Sequence, residues 1–568
     1  MKKDAKPAAK SGAERLLSSL AEHGIDYFFF NPGTDFAPII EAFAGNRDSN
    51  AMPRPMLMMH ENTAVTMAHG VTLATGKPQA VMVHTSVGTG NAVNALINAS
   101  RDRAPMVLMA GRSPLYEQGP LGARNGGIHW GQEMFDQGGM VREWVKWDYE
   151  LRGPEQAEAV VARGYEMATT SPQGPVYITL PREPLAERGD AVNAPSHNPR
   201  PVADLPGPSP QAVATLADWI AGAKAPLIIS SCVGRRPGET EALQAFAERF
   251  AIPVVLSNPH YMCIPASSPM HQGFMPGKLL PEADLVIVIE SDVPWMPSQI
   301  APDPSARIVQ MGEDPIYARY PMRSFPTDLT ITAATVPALE ELTAALDEKG
   351  LAKKKAVAER ARKFAKRHDE MGKEARAKAV PYDNGAISPE YLSRCIAEAV
   401  GDDAIIVNEY PLRVDHAPRE EPGTYFSLGS AGGLGWAVGA ALGVKLARPE
   451  RLVVAVAGDG AYVFANPTAC HWAAEVHKLP ILTIVFNNAL YGAVRGATLS
   501  MYAGGNTKDT KGRFLAELPA TDYEKLVEAN GGYGERVEDP AELPKALKRA
   551  IKAVEGGRQA LLNVVTPY

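Results

Sequence analysis

Hydrophobic and polar positions along the chain alternate between two periods. From Ala13, AERLLSSLAEHG places apolar residues three and four apart and stops at Gly24, which predicts a helix. IDYFFFNPG is a short apolar run closed by a Pro-Gly turn, which predicts a strand. The exchange continues through AVMVHTS, APMVLMAG and GPVYITLP, then through APLIISS, IPVVLSN, ADLVIVIES and ARIVQMGED, and finally through AIIVNEY, RLVVAVAGDG, ILTIVFNN and ALLNVVTP. Short unbroken apolar strands separated by helices such as TEALQAFAERF call for mostly parallel sheets covered on both faces. The expected fold class is α/β, with three domains of this kind.

Breaks in the pattern mark the divisions. Residues 1–10 form a basic tail, and residues 11–185 a first domain. Residues 186–210 have no periodicity and six prolines, which block helix propagation and predict a linker. A central domain is expected over 211–351. The Ala-, Lys-, Arg- and Glu-rich stretch within 352–387 predicts an exposed helical connection with a solvated charged face, and the last domain runs over 388–568. Three domains agree with a length of 568 residues, since a typical domain has roughly 150.

Charge and composition narrow the function. Lys and Arg number 57 against 64 Asp and Glu, a net charge of −7, which argues against nucleic acid or an anionic membrane as partner. No apolar run reaches the ~18 residues of a membrane span, and no apolar segment follows the basic N-terminus as a secretory signal would require. A soluble, cytoplasmic protein is expected. The four cysteines have no metal-ligand spacing and read as buried thiols.

The most informative chemistry is Gly458-Asp459-Gly460 at the end of one apolar strand, followed after 26 residues by Asn487-Asn488 at the end of another. On adjacent parallel strands, these put a carboxylate and an amide together at the carboxyl edge, where open α/β sheets bind ligands. Asp459 and Asn488 are hard oxygen ligands suited to Mg²⁺, which commonly shares its shell with phosphate oxygens. Gly458 and Gly460 let backbone approach a diphosphate, and the following helix offers N–H groups.

With this GDG…NN spacing, together with NPGTDFAP, VHTSVGTGNAVNAL, AGGLGWAVGAALGVKLARPERLVVAVAGDG and NNALYGAVR, the chain resembles the thiamine diphosphate-dependent decarboxylase and acetolactate synthase superfamily. It is more similar to the benzoylformate decarboxylase-like members than to the acetolactate synthases. The resemblance spans nearly the whole chain and implies a pyrimidine-binding, a central and a diphosphate-binding domain in that order. It also implies thiamine diphosphate and Mg²⁺ as cofactors.

Several roles come with the resemblance. Glu61, in PMLMMHENTAVTMAHG, matches the glutamate that activates the cofactor's pyrimidine. Leu434 matches the apolar residue that bends the cofactor, and Gly432 the carbonyl beside its amino group. The backbone oxygen of Leu490 would complete the metal shell with Asp459 and Asn488. Ala461 would give a backbone N–H to the diphosphate. His84 corresponds to an active-site histidine, Thr34 to a substrate-contacting serine, and Gln132 to the acetolactate synthase glutamine that reaches the site. Two departures stand out. Asn408 to Leu412 lacks the hydroxyl anchors of the decarboxylases, so backbone groups or Arg413 must compensate. Asp292 to Ser298 contains no counterpart to their second histidine.

The implied activity is non-oxidative decarboxylation or carboligation of a 2-oxo acid, giving an aldehyde or, with an aldehyde or ketone acceptor, a 2-hydroxy ketone. The alternatives are an acetolactate synthase-type transferase condensing 2-oxo acids and an FAD-containing oxidase of the same superfamily. No dinucleotide fingerprint supports FAD. Glu61 and the GDG segment lie on different domains, and in the family such domains face each other between subunits. A homodimer at minimum, and a homotetramer as the usual assembly, are implied.

Overall fold

The computed structural model describes residues 9–46, 51–189, 203–511, 513–519 and 521–567. Tail residues 1–8 and linker residues 190–202 lie outside the described residues, while Ala9 is tied down by a hydrogen bond from the Arg188 side chain.

Three parallel sheets form, each from the apolar runs read in the sequence. The first contains β1 (Tyr27–Phe30), β2 (Arg54–Leu57), β3 (Gln79–Val83), β4 (Met106–Arg112), β5 (Asp148–Glu150) and β6 (Pro175–Pro181), in the order β2-β1-β3-β4-β6-β5. The central sheet contains β7 (Pro226–Ser230), β8 (Val254–Leu256), β9 (Leu285–Ile289), β10 (Arg307–Gly312) and β11 (Leu329–Thr332), ordered β11-β10-β9-β7-β8. The third contains β12 (Ile405–Glu409), β13 (Tyr425–Ser427), β14 (Val453–Gly458), β15 (Leu482–Asn487), β16 (Tyr533–Val537) and β17 (Ala560–Val565), ordered β13-β12-β14-β15-β17-β16. The first and third sheets therefore repeat one topology. Interior strands such as β3, β7, β9 and β12 are buried at every position, which explains their largely apolar sequences.

The charged stretch after the central domain departs from expectation. Lys355–Lys378 is one helix, but it is docked on the central domain and does not lead out of it. Val357 and Phe364 enter the central core, and Arg360 donates to the carbonyls of Phe250 and Ala251. Two apolar anchors two turns apart suffice to hold a helix whose other faces are solvated. At the other end of the central domain, Ser209 caps a helix that starts at Pro210, one residue before the expected boundary.

What positions the site is the seam between the outer domains. The helix Glu61–Thr75 crosses the helix Ala437–Ala447 at backbone contact. A Cβ at Gly70 would lie 2.0 Å from the Ala440 carbonyl oxygen, and one at Gly443 would lie 2.0 Å from that of Met67. Asparagines lace the loop before the second helix to the first domain. Asn62, Asn94 and Asn98 donate to the carbonyls of Gly435, Leu434 and Gly433 at 3.1, 2.9 and 2.7 Å. The Trp436 indole donates to His69 Nδ1 at 3.1 Å, and burial lowers the pKa of His69 to about 3, keeping it a neutral acceptor. One hydrophobic core runs through both domains. The outer domains therefore pack against each other within the chain.

Replacing Gly443 with valine should separate the two helices and lower stability by about 1–3 kcal/mol, as overpacked cores do. Chemical denaturation would read this as a lower midpoint, and an unchanged midpoint would contradict the close crossing.

Candidate active site

Glu61 opens its helix, with His60 as the N-cap accepting the Asn62 N–H on Nδ1. Glu61 is 7% exposed, its Oε2 accepting from Asn91 Nδ2 at 3.1 Å. A Cβ at Gly88 would come within 3.2 Å of its Oε1, so the next helix passes directly over it.

Beside Glu61 lies a narrow cavity, too tight in this conformation to admit a water, lined by Thr34, Asp35, His84, Arg112, His129, Gln132 and Arg182, among others. Three residues expected from the sequence, Thr34, His84 and Gln132, are brought together here. The reading missed Asp35, His129 and Arg182. His84 Nδ1 lies 2.5 Å from Asp35 Oδ1, and Gln132 Nε2 lies 3.2 Å from His84 Nε2. Two glycines make this possible. A Cβ at Gly33 would lie 2.1 Å from His84 Nδ1, and one at Gly111 would overlap the Asp35 carboxylate. Thr85, the residue after His84, holds a left-handed φ of 43°, a strained conformation of the kind that gathers at working sites.

The two histidines are tuned in opposite directions. The hydrogen bond to Asp35 raises the pKa of His84 against the opposing effect of burial, and the charge of Glu61 adds to the rise. Burial, then the charges of Arg182, Arg124 and His84, lower that of His129, whose Nδ1 accepts the Asn125 N–H at 3.1 Å. Neutral His129 thus carries its proton on Nε2. Groups pushed apart in this way divide proton donation from neutral polarisation. The Arg182 guanidinium is spent on carbonyls, donating to Gly122 and Ala123 at 2.7 Å each, and holds the cavity wall without a carboxylate partner among its hydrogen bonds.

The cavity also collects unsatisfied polar atoms. Asp35 Oδ2, Thr85 Oγ1, Ser113 Oγ and Gln132 Oε1 are buried without a hydrogen-bond partner. Such atoms are uncommon in folded proteins, and four of them meet at this one place. Turning the Gln132 amide over would put Oε1 on the Nε2–H of a protonated His84.

In the third domain, β14 and β15 pair in parallel with Gly458 opposite Phe486, which sets Asp459 beside the Asn487–Leu490 turn. Asp459 is buried, with Oδ1 accepting the Gly460 N–H at 2.8 Å and Oδ2 left without a partner. Burial raises its pKa, opposed by backbone N–H groups of Gly460 and residues 488–490. Asn488 Oδ1 accepts the Leu490 N–H at 2.9 Å, and the Leu490 carbonyl accepts the Gly492 N–H. A buried, half-unsatisfied carboxylate between an amide and a carbonyl is a donor set of hard oxygens that fits Mg²⁺. A Cβ at Gly458 would meet open space, leaving room for a group to approach the backbone, and Ala461 follows in the helix Asp459–Phe464.

The loop with Gly432 and Leu434 is fixed by a group the sequence reading passed over. Glu409, at the end of β12, accepts the N–H groups of Gly435, Trp436 and Ala437 at 2.6, 2.9 and 2.7 Å, and burial raises its pKa to about 7. Gly432 has a φ of 64° and faces the Tyr410 hydroxyl, where a Cβ would come to 2.9 Å. Arg413 pairs with Glu390 at 3.6 Å instead of supplying an anchor here. Among the described residues no helix is long and apolar enough to cross a membrane, and the four cysteines are buried and free.

Comparison with known proteins agrees with this arrangement. Residues 10–140 match the N-terminal thiamine pyrophosphate-binding domain of thiamine pyrophosphate enzymes, 213–342 the central domain, and 411–564 the C-terminal thiamine pyrophosphate-binding domain. The chain belongs to the thiamine pyrophosphate (thiamine diphosphate) enzyme family. It is 27% identical to a benzoylformate decarboxylase from Pseudomonas aeruginosa, over 96% of this chain and 97% of that protein. It is 26% identical to the acetolactate synthase large subunit of Haemophilus influenzae, over 95% and 92%. Its fold is that of a thiamine diphosphate-dependent 4-hydroxybenzoylformate decarboxylase from Rhodococcus jostii RHA1 (TM-score 0.79, 22% identity, 98% and 99% covered). It is equally like a benzoylformate decarboxylase from Polynucleobacter necessarius (TM-score 0.79, 23% identity, 98% of each chain covered). The protein is thus a thiamine diphosphate-dependent enzyme of the decarboxylase and acetolactate synthase group.

Asp35→Asn should lower the His84 pKa toward or below its ordinary 6.5, because the bond that favours the protonated ring is weakened. In the native protein the pair stabilises the fold below that ordinary value and loses its contribution as pH rises through the raised one. An NMR titration of the imidazole checks this, and an unchanged midpoint would remove Asp35 from the account.

Proposed function

We propose that the enzyme is a non-oxidative 2-oxo acid decarboxylase and carboligase, releasing CO₂ and giving an aldehyde or, with an acceptor, a 2-hydroxy ketone. The observation that carries this reading is the cavity beside Glu61, where two oppositely tuned histidines and four unsatisfied buried polar atoms converge. Bound thiamine diphosphate supplies the nucleophilic carbon and the electron sink. Asp459, Asn488 and the Leu490 carbonyl would hold Mg²⁺, with Gly458, Gly460 and Ala461 giving backbone room and N–H groups to the diphosphate. Leu434 and Gly432 would shape the seat of the rings, and Glu61 would hold a proton at the pyrimidine. His84, paired with Asp35, donates a proton on the substrate side, where Thr34 offers a hydroxyl. His129 offers a neutral N–H, a role that the His-free segment 292–298 does not fill.

Gln132 favours a second reading, an acetolactate synthase-type transferase, since its amide faces His84 where an acceptor 2-oxo acid would enter. Acetolactate formed from pyruvate would establish that reading. An FAD-dependent oxidase is disfavoured by the crevice between β7 and β9, where Ser231 bonds Ser291 at 2.6 Å and Glu290 pairs with Arg235 at 2.8 Å.

A homodimer, or a tetramer built from two, covers the mouth of the cavity in this proposal. Leu115, Tyr116, Leu121, Ile128, Trp130 and Phe135 all stand exposed on the segment that forms its rim, an apolar surface that favours a second copy. Light scattering should give at least twice the 60.8 kDa of one chain, and a Phe135→Asp variant should dissociate toward that mass; a monomeric native enzyme would refute the assembly.

Glu61→Gln should retain thiamine diphosphate binding by calorimetry yet lose about 10²–10⁴-fold in turnover. Asp459→Asn should instead weaken the Mg²⁺-dependent binding itself. Native turnover in Glu61→Gln would overturn the assignment.

A further inference from the structure

A second cavity, of about 160 Å³, lies away from Glu61 where the N-terminal domain meets the central domain. The first domain contributes Arg101 and Arg103, from the end of the helix Thr85–Arg101 and the turn after it, and Lys146 with the 172–175 turn. The central domain contributes Asp314, Tyr317, Arg319 and Tyr320 from the segment following β10. Four cations therefore share one wall system with a single carboxylate.

Three of the four charges have no carboxylate partner among the described residues. Arg101 donates to the Arg319 carbonyl at 2.8 Å and lies over the rings of Trp144 and Tyr320. Arg319 donates to the carbonyls of Glu143 and Val145 at 2.7 and 2.8 Å, and Lys146 to that of Thr170 at 2.5 Å. None of these three has a carboxylate partner among its described hydrogen bonds and ion pairs. Arg103 is 8% exposed and shares Asp314 at 3.3 Å, while its Nη1 has only a 3.5 Å ion pair to Glu290 and no hydrogen bond. Burial and the charge of Arg319 lower the pKa of Lys146 to about 8, so the group already pays for crowding.

Carbonyl bonds and aromatic faces fix where Arg101, Arg319 and Lys146 point but leave their charge uncompensated. A cavity lined by one sign of charge with low-dielectric walls concentrates the opposite ion. Donors converging from both domains suit a tetrahedral dianion, which accepts from several directions and which Arg and Lys both bind well. We propose that this cavity binds a small phosphate-bearing anion that clamps the N-terminal domain to the central domain. The ligand is either inorganic phosphate or the phosphate group of a nucleotide.

The test uses holoenzyme saturated with thiamine diphosphate and Mg²⁺, so that the cofactor site is closed to the probe. Inorganic phosphate is titrated at constant ionic strength while thermal unfolding is followed. The proposal expects a saturable rise in midpoint of about 2 °C or more. Lys146→Gln combined with Arg101→Gln should abolish the rise while leaving basal turnover intact. Should that pair fold poorly, Arg319→Gln alone, on an exposed side chain, should weaken the phosphate response about tenfold. Adenosine monophosphate acting at tenfold lower concentration than phosphate would identify a nucleotide; equal or weaker action would identify phosphate itself. No saturable rise in the native enzyme, or an undiminished rise in the variants, would overturn the proposal.

Discussion

The structure depends on the backbone-close crossing of the helices Glu61–Thr75 and Ala437–Ala447. Glycines at the contact let the two main chains touch, and a single hydrophobic core then runs through both outer domains. The crossing also fixes the asparagine contacts, so the loop of Gly432 and Leu434 is held to the domain that carries Glu61. From the other side Glu409 grips the same loop by three backbone N–H groups. Two domains with the same strand order are thereby set with their chemically important loops toward one seam.

Within that frame, stability and function pull apart at a few places. Buried polar atoms without partners, a carboxylate with one free oxygen and a threonine in a left-handed conformation all cost free energy in the isolated chain. Two histidines of the third domain, by contrast, are matched. His471 sits between the Tyr462 hydroxyl and Gln559, and His477 reaches the Leu57 carbonyl. Four unmatched atoms meet near His84 and one lies on Asp459, where the proposed substrate and metal would satisfy them.

Much of this was legible in the sequence, for reasons that differ by element. Strands such as β4 and β14 are buried on both faces, so their composition declares them. The strands that went unread, β5, β11, β13 and β16, all lie at sheet edges, where partial exposure admits polar residues and erases the pattern. The placement of Asp459 and Asn488 at adjacent strand ends was legible because each closes an apolar run. Thr34, His84 and Gln132 came from resemblance alone. Asp35, His129 and Arg182 were not legible: two lie in turns or a one-turn helix without periodicity, and their meaning arises only when distant segments meet. Gly33 and Gly111 were the available hint, since each stands where a side chain would displace the Asp35–His84 pair.

The charged helix after the central domain teaches a related lesson. Its composition reads as solvated, and only Val357 and Phe364 reveal that one narrow face is docked. Overall charge was equally blunt, because a net −7 coexists with a cationic cavity between two domains. Local arrangement, set by packing, decides what such groups do. The central claim is that the cavity beside Glu61 removes CO₂ from a 2-oxo acid, and CO₂ release by the holoenzyme across a panel of aliphatic and aromatic 2-oxo acids tests it most directly. The account predicts thiamine diphosphate-dependent CO₂ release from at least one of them, with aldehyde formed when no acceptor is present; full cofactor binding with no CO₂ from any acid would contradict it.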